Sequence, residues 1–315
     1  MNQVILTVAP VFGLIALGLA TARFKILSSE AADGVAAFVF TIAMPSLIFR
    51  TLVTVEPPEA SAWGLVISYM GATAITWILA TVATRWPLGR PAEDGASIAM
   101  AAAFGNTVMM GIPLVVGHYG EAALAPLVVI IAIHAPVLWL AATLQVELAM
   151  RRETTSLAKL LADMGRDLAR NPVILGIVCG GLWRLTGLGL HPIADKIIGL
   201  LGQAGIPGAL FALGMGLAQY QIRGQVGTLT AINVLKLVVM PVVAWILARH
   251  VMELPPLWTG VVVLVAACPT GVNAFLFASR YDRAVGSVSG TIALGTALSA
   301  LTISALLVVL DAAAR

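Results

Sequence analysis

The chain has 315 residues, of which 60% are hydrophobic and 10% charged, against about 25% charged in soluble domains. That deficit, with a mean hydropathy of +0.99, excludes a soluble globular protein. The net charge of +3 is spread through loops with no basic patch interleaved with aromatics, which excludes a nucleic-acid surface.

Lipid offers no hydrogen-bond partners, so spanning segments must be helices or a closed barrel. The apolar runs approach the roughly 20 residues a helix needs and lack the short alternation of a barrel. The sequence therefore predicts an all-α polytopic membrane protein with ten spans.

Span 1, near 3–22, has no basic residues before it and is followed by Arg23 and Lys25, so it reads as a retained helix and not a signal peptide. Spans 2 and 3 cover 34–54 and 62–84, with Pro45 as a kink and Asp33 and Arg50 near span ends, where they reach the interface. Span 4, near 95–117, contains AAFGNTVMMGIPL at 102–114. Span 5, near 122–149, carries His134, Pro136 and Glu147. Residues 150–170 are polar, and 156–169 has helical periodicity, as in an amphipathic surface helix.

Span 6 (171–189) holds Gly176 and Gly180, a small-xxx-small pair that marks helix packing. Span 7 (196–219) contains Pro207, and span 8 (227–250) contains Asn233, Lys236 and Pro241. Span 9 (257–279) includes ACPTGVNA, and span 10 covers 285–310. Cys179 and Cys268 fall inside spans without metal-ligand spacing and read as small buried hydrophobes. Trp63, Trp86 and Trp258 near span ends read as interface anchors. Nothing in the pattern calls for a cofactor or a metal.

Lysine and arginine set the orientation. Twelve of the 18 lie in the loops after odd-numbered spans and five on the other side, with Lys236 inside a span. This predicts a plasma (inner) membrane protein with the 150–170 linker cytoplasmic and both termini outside.

Five spans on each side of that linker would enter the membrane in opposite senses, so any repeat between them is an inverted one. Four echoes occur in order: NQVIL at 2–6 with NPVIL at 171–175, AMPSLIF at 43–49 with GIPGALF at 205–211, AAFGNT at 102–107 with AACPTG at 266–271, and HYGEAA at 118–123 with RYDRAV at 280–285. Their offsets stay within 162–169 residues. The third echo pairs the Gly105–Asn106 interruption of span 4 with Pro269–Thr270 of span 9. Paired interruptions in corresponding spans point to a transporter's central site. Half-helices that begin there present free N–H groups and partial positive charge to an anion. Asn106 and Thr270 are residue types that cap such starts. Asn273, one turn beyond Pro269, shares the face of the break and is either a carboxylate ligand or interhelical glue; Asn233 reads as glue. A mere kink is the alternative for both interruptions.

GNTVMMGIPLV (105–115) with ACPTGVNAFLFASRYD (267–282) resembles the auxin efflux carrier family, the PIN-type carriers and their bacterial relatives, among them malonate and other organic-acid permeases. ALFALGMGLA (209–218) and VLKLVVMPVVAW (234–245) fit the same pattern. The resemblance implies a fold like the bile-acid sodium symporters, with spans 4 and 9 as broken crossover helices. It implies scaffold helices 1–2 in residues 1–60 and 6–7 in 171–225, which dimerise, and transport-domain helices 3–5 in 61–150 and 8–10 in 226–315, with 151–170 as the linker. It implies an elevator-like carrier whose crossover holds a small organic anion. Plant members have a proline where this chain has Gly105.

The candidate substrate-binding residues are Gly105, Asn106, Thr107, Lys236, Pro269, Thr270, Gly271 and Asn273. Lys236, deep in span 8, reads either as a cation for the anion or a coupling-ion substitute, or as a structural pair. His134 reads as a proton relay or as a packing residue. No carboxylate stands at the centre of a span, which favours uniport over proton- or sodium-coupled symport. No nucleotide loop, HExxH or GxSxG supports an enzyme, and neither filter loops nor charge rings support a channel.

Overall fold

The computed structural model describes residues 2–54, 62–150, 162, 165, 166, 169–220 and 225–313. The surface helix expected over 151–170 lies outside these, apart from five scattered positions.

The chain is helical throughout the described residues. In order the helices are α1 (Asn2–Arg23), α2 (Glu30–Thr54), α3 (Ala62–Arg85), α4 (Gly95–Ala103), α5 (Thr107–Tyr119), α6 (Leu124–Met150), α7 (Pro172–Leu185), α8 (Pro192–Leu217), α9 (Val226–Val251), α10 (Pro256–Ala266), α11 (Val272–Tyr281) and α12 (Val285–Ala313). Seven of them are long and apolar enough to cross a membrane: α1, α2, α3, α6, α8, α9 and α12. The other three expected spans differ for visible reasons. Span 4 is divided into α4 and α5, span 9 into α10 and α11, and α7 has only 14 residues. That gives it about 21 Å of length, short of a hydrocarbon core of about 30 Å.

Helix starts follow local chemistry. Asn171 caps α7 by accepting from the amides of Val173 and Ile174, ahead of Pro172 at the first helical position. His191 Nδ1 accepts from Ile193 N ahead of Pro192 at the start of α8. Besides the π-type turn that closes α9 at Leu247–Val251, three occur within α2, α5 and α9, at Val39–Ala43, Thr107–Gly111 and Leu235–Val239. Each ends two residues before a proline: Pro45, Pro113 and Pro241. Proline lacks the N–H that would continue the ladder and its ring presses on the preceding turn, so widening that turn relieves both defects. Several buried hydroxyls are satisfied within their own helices. Ser68, Thr73, Thr76 and Thr84 of α3 each donate to the carbonyl four residues earlier.

Packing runs along two seams of small residues. α1 lies along α8, and α2 lies along α7 and α8. At Gly214 of α8 an added Cβ would enter the Ile15 carbonyl of α1, and at Gly18 of α1 it would enter the Phe211 carbonyl of α8. Gly176 and Gly180 of α7 sit on Pro45 and Phe49 of α2. The Gly176–Gly180 pair therefore does mark helix packing, and close backbone approach replaces the hydrophobic drive that lipid cannot supply.

Two expectations need correction. Trp258 is 4% exposed and belongs to the core, whereas Trp63 and Trp86 stand out at 75% and 87%. The start of α10 that carries Trp258 is covered by neighbouring helices. Cys268 is buried, but Cys179 lies exposed on α7, because the buried side of that thin helix is occupied by its glycines. Asp33, exposed at the start of α2 as expected, also borders a cavity.

Gly214→Val is expected to lower the thermal unfolding midpoint in detergent by more than overpacking alone, which costs about 1–3 kcal/mol, because the clash is with backbone. Gly13→Ala, where nothing lies within 4 Å of the added Cβ, is expected to leave the midpoint unchanged or slightly raised.

Candidate functional site

The two interruptions meet. After α4 ends at Ala103, Phe104–Asn106 run extended. After α10 ends at Ala266, the chain is irregular until α11 starts at Val272. Gly105 and Thr270 face each other as an antiparallel bridge. Asn106 N donates to the Pro269 carbonyl (2.8 Å), and Gly271 N donates to the Phe104 carbonyl (2.9 Å). Each break thus supplies the backbone partners the other lacks. Asn106, at φ −77° and ψ 66°, is the centre of an inverse γ-turn in which Thr107 N donates to the Gly105 carbonyl (2.9 Å).

The bridge needs small residues. A Cβ on Gly271 would stand 3.0 Å from the Gly105 carbonyl oxygen and 3.1 Å from Phe104 Cδ1. One on Gly105 would stand 3.3 Å from Lys236 Nζ. Glycine at 105 allows the contact with Lys236, which a bulkier residue would displace.

Thr270 does not cap α11. Its Oγ1 donates to the Ala101 carbonyl of α4 (2.7 Å), and Gly271 takes the cap position, because bridge pairing consumes Thr270 and delays the helix by one residue. Asn106 precedes α5, yet its side chain makes no capping bond.

That leaves polar groups for a cavity of about 510 Å³ beside the bridge. Gly105, Asn106, Thr107, Gly271, Asn273 and His134 all line it. Both α5 and α11 begin on its wall, and amides in a first turn have no earlier carbonyl to bond. The side chains of Asn106, Thr107 and Asn273 have no hydrogen-bond partner among the described residues. The rest of the wall is mostly apolar, including Phe40, Ile131, Leu213 and Leu276. No lysine or arginine among the described residues lines it. Its rim carries Asp33 at the start of α2, Asn171 before α7, and Gln219 and Tyr220 after α8. Those are the ends nearest the Arg- and Lys-rich loops.

Three sequence-derived candidates lie off the wall. Pro269 and Thr270 form the bridge. Lys236 is wholly buried behind it, where Nζ donates to the Ala266 carbonyl (2.7 Å) and approaches Met240 Sδ (3.1 Å). It caps the carbonyl end of α10, where a cation meets the negative pole of the helix. No carboxylate pairs with it among the described residues. His134 is buried at 1% exposure. Its Nδ1 lies 3.2 Å from Tyr69 Oη, and its ring lies 4.3 Å from that of Phe104. Its Nε2 makes no hydrogen bond of normal geometry. Asn233 donates within α9, to the Leu229 carbonyl.

At the opposite ends of the helices Arg50 of α2 grips Asp195 of α8 through Nε–Oδ1 (2.6 Å) and Nη2–Oδ2 (3.2 Å). It also lies 3.9 Å from Glu121, in the turn between α5 and α6. Sequence reasoning missed Asp33, Asn171 and Gln219 on the cavity rim and the Arg50 cluster. Polar residues at span ends gave no signal of which ends share a space.

The family model described as membrane transport protein matches residues 3–307. The chain belongs to the membrane transport protein family. It is 27% identical to a Rhizobium meliloti protein named "Putative malonate transporter" over 95% of this chain and 93% of the relative. It is 25% identical to "Auxin efflux carrier component 8" of Arabidopsis thaliana over 98% of each, and 27% identical to an "Uncharacterized transporter" of Methanothermobacter thermautotrophicus over 94% of this chain and 95% of that one. The resemblance carried by residues 105–115 and 267–282 thus extends along the whole membrane transport family sequence.

Gly271→Ala is expected to force the two breaks apart and to lower thermal stability in detergent by about 1–3 kcal/mol. Gly181→Ala, with nothing within 4 Å, serves as the silent comparison in the same unfolding measurement.

Proposed function

We propose that the chain is a secondary carrier for an organic anion bearing one carboxylate and an apolar body. The observation that carries this reading is the convergence of the α5 and α11 starts, with unpartnered Asn106, Thr107 and Asn273, on one cavity. First-turn amides and side-chain amides donate to a carboxylate without the strong hydration cost of a buried lysine or arginine. A second carboxylate would find no lysine or arginine on the wall among the described residues and would meet Asp33 at the rim. The apolar surfaces of Phe40, Phe104 and Leu213 instead suit a hydrocarbon or aromatic body, and a three-carbon diacid would fill little of the volume.

The mechanism is an elevator. In this reading α1, α2, α7 and α8 form the scaffold, and α3–α6 with α9–α12 move as the transport unit about a 5+5 inverted repeat. The pairing of α1 with α8 and of α2 with α7 supports a two-fold relation between halves, as do the sequence echoes. The cavity opens toward the Arg-rich loops, which the charge bias assigns to the cytoplasm of a plasma membrane with both termini outside. The Arg50 cluster then closes the other face, with Asp195 on the scaffold and Glu121 on the moving unit. A homodimer through the scaffold completes the proposal. Among the described residues the wall holds no carboxylate apart from exposed Asp33, which supports uniport.

Purified protein in proteoliposomes is expected to show saturable uptake and counterflow of phenylacetate, with malonate at least tenfold weaker. Phenylacetate at 100 times its Kd should stabilise the protein by about 2.7 kcal/mol in thermal unfolding. Asn106→Ala should reduce phenylacetate uptake at least tenfold with an unchanged unfolding midpoint. Non-saturating flux without counterflow would replace the carrier by a channel, and preference for malonate would overturn the single-carboxylate assignment.

Lys236 acts from behind the bridge. A unit charge roughly 8 Å from the anion contributes about 2 kcal/mol at an effective dielectric of about 20. Lys236→Ala is therefore expected to weaken phenylacetate binding about 30-fold, and Lys236→Arg less. Equal affinity in both variants and the parent would leave Lys236 with a purely structural role.

A further inference from the structure

At the helix ends opposite the cavity mouth lies a separate cleft of about 230 Å³. It is formed where α5, α9, α10 and α12 terminate, and Tyr119, Trp245, Arg249, Gly260, Leu310 and Asp311 line it. Two opposite charges face this space without meeting. Arg249 is exposed and makes no hydrogen bond or ion pair among the described residues. Asp311 is held on one side only, with Oδ1 3.0 Å from His118 Nε2. The His118 ring is fixed in turn by an edge contact with Tyr119, centroids 4.5 Å apart. Asp311 therefore stands in a set position, with no partner for Oδ2 among the described residues.

The surroundings locate the cleft at the edge of the bilayer. Leu257 and Leu310 supply apolar wall, and Trp245 sits beside them, an amphipathic ring of the kind that collects at headgroup level. The Tyr119 phenol packs on Gly260, closing the inner end. An unpaired guanidinium and a half-paired carboxylate across one gap form a dipolar receptor. A purely anionic ligand would satisfy Arg249 but be repelled by Asp311, and a purely cationic one would do the reverse. A phosphate linked by two carbons to an ammonium matches both.

We infer that this cleft binds the headgroup of a zwitterionic phospholipid, with its phosphate on Arg249 and its ammonium on Asp311. The acyl chains run down the apolar side past Leu257 and Leu310. The lipid is thereby attached to α5, α9, α10 and α12, away from the α1–α8 and α2–α7 seams. This inference stands on the cleft alone and does not depend on what the central cavity carries.

The test is binding to the full-length protein in detergent, read by native mass spectrometry. The probes are dioctanoyl phosphatidylethanolamine, dioctanoyl phosphatidylglycerol and free phosphoethanolamine. The parent protein is expected to bind the ethanolamine lipid at least fivefold more tightly than the glycerol lipid, and free phosphoethanolamine at least tenfold more weakly than the ethanolamine lipid. Arg249→Gln, which leaves the Asp311–His118 contact untouched, should weaken both lipids about tenfold. Asp311→Asn should erase the preference between them. Equal affinity of the two lipids in the parent, or unchanged binding in Arg249→Gln, would overturn the inference. Free phosphoethanolamine binding as tightly as its lipid would overturn the lipid assignment.

Discussion

A backbone amide or carbonyl left unpaired in hydrocarbon costs several kcal/mol, and the centre of this molecule is organised around that constraint. Two helices stop short inside the bundle, and each exposes polar backbone deep within it. They answer each other through Asn106 N to Pro269 O and Gly271 N to Phe104 O. Thr270 adds a third link to Ala101 O, and Lys236 satisfies the Ala266 carbonyl. The remaining first-turn amides of α5 and α11 are left facing the cavity. A pair of breaks can be tolerated where a single one would not be.

From that arrangement follows an asymmetry of charge. Helix starts with their partial positive poles border the cavity, while a carbonyl end is turned away and covered by a lysine. The bridge is thin because it is built from Gly105 and Gly271, so the Lys236 ammonium stands just behind it. An anion on the cavity side would feel both the amides and that charge, without direct contact with any cation. Donors held by backbone geometry are set before a ligand arrives, so little reorganisation accompanies binding.

The α1–α8 and α2–α7 seams and the bridge use glycine in one way, to bring backbones close, but with different outcomes. Along α1–α8 and α2–α7, close approach makes long continuous contacts that would resist relative movement. At the bridge it makes one short contact between segments that are otherwise free to present polar groups. The ion cluster of Arg50, Asp195 and Glu121 lies at the far end, where charged groups can keep water on one side.

The helical membrane class was legible from composition and run length, because lipid leaves only helices or a closed barrel and the long unalternating runs exclude the barrel. So was the place of both breaks. Gly105–Asn106 and Pro269–Thr270 interrupt apolar runs, and an interruption is a local property that the one-dimensional pattern records. His134 and Lys236 stood out for the same reason, as polar groups at depth. Which side of the bridge each occupies was not legible: Lys236 lies behind it, whereas Asn106 and Asn273 lie in front. The start of α11 also shifted past Thr270, since a bridge partner 165 residues away had claimed that residue. Asp33, Asn171 and Gln219 share a rim only because α2, α7 and α8 end together in space. Sequence determined which segments would break and that they must lie in lipid. Tertiary packing alone decided which polar groups face one another, because those distances are set by how helices far apart in the chain come to lie side by side.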